Sequence, residues 1–101
     1  MVEFSNRVQV PPCVLVRRLD GELVLLNLQT ERYFGLDAMG SRMWEAATGS
    51  PTIAAAYEKL LEEFEVDADV LRNHLDELLS GLVENGLLAL APADVGTIPA
   101  I

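Results

Sequence analysis

The stretch 22–44, ELVLLNLQTERYFGLDAMGSRMW, constrains this chain most, because a two-strand pattern runs straight into a helix with almost no connecting loop. Its second strand segment, 31–36, carries Tyr33 and Phe34, both good strand formers, and period-2 alternation puts Phe34 and Leu36 on one face. Asp37 then offers a side-chain oxygen as N-cap for a helix whose Met39, Met43, Trp44 and Ala47 form one apolar stripe ending near Gly49. The segment 31–36 has no obvious partner on one side. A sheet edge of that kind carries unpaired backbone N–H and C=O groups, which either template aggregation or hold an extended peptide.

The rest of the chain supplies the context. Residues 13–19, CVLVRRL, and 22–28, ELVLLNL, are β-rich runs separated by Asp20 and Gly21, the turn chemistry of a type I′ hairpin. Residues 1–12 end in Pro11 and Pro12 and read as an extended N-terminal arm. Ser50 followed by Pro51 predicts a helix start, with Ile53, Tyr57, Leu60, Leu61 and Phe64 as its inward face. Asp67 predicts the cap of a third helix with a stripe of Leu71, Leu75, Leu78 and Leu82, widened by Leu79 and Val83. Asn85 and Gly86 stop it, Leu87 to Leu90 can pack back on the core, and 91–101 read as a flexible tail. The domain proper spans 13–90.

The predicted class is α+β in the order β-β-β-α-α-α. Three helices cannot cover both faces of so small a sheet, so a three-stranded antiparallel sheet packs by one face on a three-helix bundle, a winged-helix-like layout.

Composition narrows function by exclusion. A length of 101 residues with half of them hydrophobic suits one folded domain. Sixteen acidic against seven basic residues give a net charge of −9, the opposite of a phosphate-binding surface, so no nucleic-acid partner is expected. One cysteine and one histidine cannot build a soft-ligand metal site or an internal disulfide, which leads to the expectation of no metal, no cofactor and a cytoplasmic location. No apolar run is long enough for a membrane span, and the segment MVEFSNRVQVPP lacks the pattern of a signal peptide.

Individual chemical candidates read mainly as structure. Cys13 has no base placed near it by sequence and reads as a small buried apolar group. His74 reads as a helix-surface histidine, and Met39, Met43 and Trp44 as core. The carboxylates Glu58, Glu62, Glu63, Glu65, Asp67 and Asp69 lack calcium-loop spacing and read as a solvated face.

The segment N-L-x-T-x-x-Y-F-x-L-D (Asn27, Leu28, Thr30, Tyr33, Phe34, Leu36, Asp37), then Gly40 and Met43-Trp44, begins an ordered set of residues. Pro51-Thr52, Leu60, Leu61, the junction 64–67 and Leu82, Gly86, Leu87 and Leu88 continue it. From about Val14 to Leu88 the chain thereby resembles the PqqD-like family, the RiPP recognition elements, and its Y-F-G-L strand end looks like the stand-alone lasso-peptide type. The resemblance implies a non-catalytic domain that binds the leader of a ribosomally made precursor peptide as a further strand. The leader would lie in a groove walled by the third helix and be presented to a modifying enzyme or leader peptidase encoded nearby.

The expected peptide-binding residues are Arg32, Tyr33, Phe34, Gly35 and Leu36 on the strand, with Arg72, Leu75, Asp76 and Leu79 on the third helix. Periodicity alone leaves open which flank of that helix faces the sheet. The same edge can also pair two copies of the chain. Two departures stand out: Glu31 where the family often has glycine, and His74 where many members carry aspartate. The alternatives are an acidic winged-helix regulator, against which the charge of the third helix argues, and a structural subunit of a partner enzyme.

Overall fold

A computed structural model describes residues 2–92. Three strands, β2 (Val14–Leu19), β3 (Glu22–Asn27) and β4 (Arg32–Leu36), form an antiparallel sheet in the order β2-β3-β4. Three helices follow: α1 (Ala38–Thr48), α2 (Ile53–Glu63) and α3 (Ala68–Glu84). The class is α+β, as the sequence predicts.

Turn chemistry fixes the sheet register. Asp20 and Gly21 hold φ of 53° and 83°, the two positive values a type I′ turn needs, and Leu19 pairs with Glu22. The β3–β4 connection is longer and is organised by Asn27, which is only 3% exposed. Its side-chain oxygen accepts from the amides of Gln29 and Thr30 at 2.9 and 3.2 Å, and its amide donates to the Gly86 carbonyl at 2.9 Å. One buried side chain therefore ties the turn that positions β4 to the end of α3.

The inner face of the sheet, Leu23, Leu25 and Leu36, packs on Met43 and Trp44 of α1 and on Leu71, Leu75, Leu79 and Leu82 of α3. Asp37 caps α1 by accepting from the Gly40 amide at 2.8 Å. Ser41, itself buried, accepts from the Leu23 amide at 2.8 Å and donates to the Leu36 carbonyl at 3.1 Å, joining α1 to both strands. Met39 and Cys13 are half-buried against the same core. Arg42 and Glu63 make a bidentate pair of 2.6 and 2.7 Å between α1 and α2. The hydrogen bonds that Arg42 donates to the Glu63 carboxylate lower the Glu63 pKa and raise the Arg42 pKa.

Three features depart from the sequence reading. First, residues Arg7–Gln9 form a strand, β1, paired antiparallel with β5 (Ala89–Ala91) in a second, two-stranded sheet. Val2 and Val8 are buried, so the N-terminal segment is part of the packed body. Of the segment 91–101, residues beyond 92 lie outside the described residues.

Second, α2 starts later than Ser50-Pro51 suggests. Thr52 is its N-cap, accepting from the Ala55 amide at 3.0 Å, while the Ser50 hydroxyl is buried without a hydrogen-bond partner. The amides of Ile53 and Ala54 donate to the carbonyls of Asn6 and Phe4, both at 2.8 Å. Backbone carbonyls from the N-terminal segment thus do the work of capping that a local reading assigns to Ser50.

Third, the buried stripe of α3 leans to its widened side: Leu79 is fully buried with Leu71, Leu75 and Leu82, and Leu78 only partly so. Asp67 caps this helix as expected, and Gly86, with φ of 75°, follows the C-cap Asn85. A Cβ at Gly86 would come within 2.8 Å of the Asn27 amide nitrogen, a second reason for glycine there.

Candidate functional site

Strand β4 pairs only with β3, leaving its other edge unpaired among the described residues. Arg32, Tyr33 and Gly35 are exposed, Phe34 is half-buried against the core, and Leu36 is buried. Two neighbours anchor the strand from the inner face while its backbone remains available along the edge. Gly35 faces open space, so nothing crowds the backbone there.

At the start of β4 a cleft of about 510 Å³ opens between the β3–β4 turn and the end of α3, lined by Thr30, Arg32, Glu84, Asn85 and Gly86. The Arg32 and Glu84 side chains make no ion pair among the described residues, so the cleft presents one group of each charge to whatever enters.

Of the four α3 residues expected at the site, two lie in the core and two meet the N-terminal segment. Leu75 and Leu79 are both 0% exposed and belong to the core. The Arg72 guanidinium stacks 4.2 Å from the centroid of Phe4 and 5.9 Å from that of Tyr57, and the two rings meet edge to face at 5.6 Å. Asp76 accepts from the Val2 amide at 2.8 Å. The flank carrying Arg72 and Asp76 is therefore occupied by the N-terminal segment.

Asn85 marks the flank that meets the β4 cleft. Steps of four, three and four residues back along the helix place Gly81, Leu78 and His74 on that same flank. Leu78 is half-buried and His74 exposed, and a Cβ at Gly81 would meet nothing within 4 Å. One sequence signal on this flank is Gly81, a glycine in a helix interior, which costs about 1 kcal/mol relative to alanine. Arg32, Tyr33, Phe34, Gly35 and Leu36 share one strand, and helical spacing sets His74, Leu78 and Gly81 on the same flank of α3 as Asn85, which lines the cleft at the start of that strand.

A free strand edge with a helix alongside defines a small α+β domain of the kind that can hold an extended chain through its backbone. Residues 22–88 match the family model described as coenzyme PQQ synthesis protein D (PqqD). That match spans well over half of the sequence, and the chain belongs to the PqqD family. No curated protein matches.

Among solved structures, the chain is similar to one described as TbiB1 in complex with the TbiA(β) leader peptide. The two are 34% identical over 79% of this chain and 93% of that chain, with a TM-score of 0.71. A second, described as lasso peptide synthetase B1 complexed with the leader peptide, is 24% identical over 82% of this chain and 98% of that one, with a TM-score of 0.71. At that lower identity the likeness is one of fold.

Proposed function

We propose that this protein is a non-catalytic recognition module for the leader of a ribosomally synthesised precursor peptide. The leader adds to the free edge of β4 as a further strand, and the module delivers the precursor to a modifying enzyme or leader peptidase in the cytoplasm. The observation that carries this reading is the unpaired β4 edge beside a helix-walled cleft, in a PqqD-family chain similar to a TbiB1 structure described with a leader peptide.

Each backbone hydrogen bond in such a strand contributes about 0.5–1.5 kcal/mol net, so a handful gives useful affinity with little demand on sequence. Side chains in the groove then select the leader. Phe34 and Leu36 shape its inner wall from β4, His74, Leu78 and Gly81 line it from α3, and Arg32 with Glu84 reads the end of the bound segment. The module's contribution to the reaction is effective concentration, because a leader held here makes the encounter of precursor and enzyme intramolecular. Without leader, the same edge is open to a second copy.

Calorimetry with the leader encoded by a neighbouring precursor gene tests this reading. Binding at about micromolar or tighter, roughly −8 kcal/mol, is the expected result, and no heat at tens of micromolar would contradict it. Gly81→Leu sharpens the test: it should stabilise α3 by up to about 1 kcal/mol on helix propensity. It should also fill the groove and weaken leader binding at least about tenfold. Unchanged affinity would move the leader away from α3.

A further inference from the structure

Among the described residues, nothing packs as a second layer on the outer face of the three-stranded sheet. Leu15, Leu26 and Tyr33 stand opposite one another across the three strands, with Val24 beside them and Leu19 at the hairpin end. Leu15 is 45%, Leu19 58% and Tyr33 73% exposed, and a shallow depression of about 360 Å³ lies among Leu15, Arg17, Val24, Leu26 and Tyr33.

The sequence of β3 makes the same point. Leu23, Val24, Leu25 and Leu26 are apolar at both phases of the strand, the pattern of a strand covered on two faces. Helices cover only the face of Leu23 and Leu25.

Charge and size discriminate among occupants. The face carries Arg17, exposed and without an ion pair among the described residues, and Glu22 at its hairpin end, in a chain whose net charge is −9. Three strands about 4.8 Å apart and six residues long give a footprint of roughly 300 Å². A stable dimer of two such faces calls for about 800 Å² on each side, so the face is too small to hold a second copy by itself. It is large enough to form the apolar part of a transient contact with a bigger body.

We infer that this face docks the enzyme to which the leader is delivered, through a partner surface that is apolar at its centre and sets a carboxylate against Arg17. This deepens the delivery reading and rests on it. Leader and enzyme then use separate surfaces of one sheet: the leader takes the edge of β4 and the enzyme takes the outer face.

The test uses the full chain and the modifying enzyme or peptidase encoded beside it, with association measured by biolayer interferometry and leader binding measured separately by calorimetry. Leu15→Glu and Arg17→Glu are expected to weaken enzyme binding at least tenfold each while leader affinity stays within twofold of the wild type. Both sites are already exposed, and thermal melts of the variants check the fold. Enzyme binding that is absent in the wild type, or unaltered in both variants, would overturn the inference. So would light scattering that shows a wild-type dimer split into monomers by Leu15→Glu. Failure of leader binding in the wild type would instead sink the recognition reading, so the two failures are distinguishable.

Discussion

Glu31 closes the β3–β4 turn with φ of 61°, a left-handed conformation in a residue that carries a Cβ. That conformation costs a non-glycine residue about 1–2 kcal/mol. The turn tolerates it because the Glu31 amide donates to the Asn27 carbonyl at 2.8 Å and the Asn27 side chain holds the two residues before it. Glu31→Gly is expected to relieve the strain and raise stability by about 0.5–1 kcal/mol after the extra chain entropy of glycine is subtracted. In thermal unfolding this is a rise of a few degrees, about 2–8 °C, with leader affinity unchanged. A fall in melting temperature would mean that Glu31 makes a compensating contact of its own.

At the scale of elements, the free edge of β4 rests on the alternation of its amides, since successive N–H groups in a strand point to opposite sides. Tyr33→Pro and Phe34→Pro should therefore separate two phenotypes. One removes a ladder bond to β3 and lowers the melting temperature; the other removes a donor from the open edge and abolishes leader binding with a smaller loss of stability. Equal loss of binding and stability in both, read by calorimetry and thermal melts, would contradict an edge-docked leader. β4 itself was legible in the sequence because its determinants are local: the Asp20-Gly21 turn, the alternation through Phe34 and Leu36, and the Asp37 cap. The start of α2 was not, because carbonyls of Phe4 and Asn6, nearly fifty positions away, bond its first amides. Nor was the flank of α3 that the N-terminal segment covers, because both flanks mix apolar and charged residues about the same leucine stripe. Phe4 stacks on Arg72 and covers that flank, a contact with no trace in helical periodicity.

For the whole molecule, the N-terminal segment acts as a clasp. It buries Val2 and Val8, stacks Phe4 on Arg72, caps α2 and pairs β1 with β5, so the two ends of the described chain meet on the helical side. Burying a valine-sized side chain is worth about 1.5–3 kcal/mol, and removal of residues 2–9 is expected to cost several kcal/mol in denaturant unfolding. A truncated chain as stable as the full one would show that the clasp is dispensable. The clasp meets α3 at Arg72 and Asp76, whereas the cleft at the start of β4 is lined by the end of that helix, Glu84 and Asn85, so the clasp leaves the cleft open. Residue-resolved amide exchange on β4, with and without saturating leader, tests that arrangement most directly. Alternate amides within Arg32–Leu36 are expected to slow at least about tenfold when leader binds, with the amides near Arg72 and Asp76 unchanged. Leader that binds by calorimetry yet leaves every β4 amide exchanging as before would contradict it.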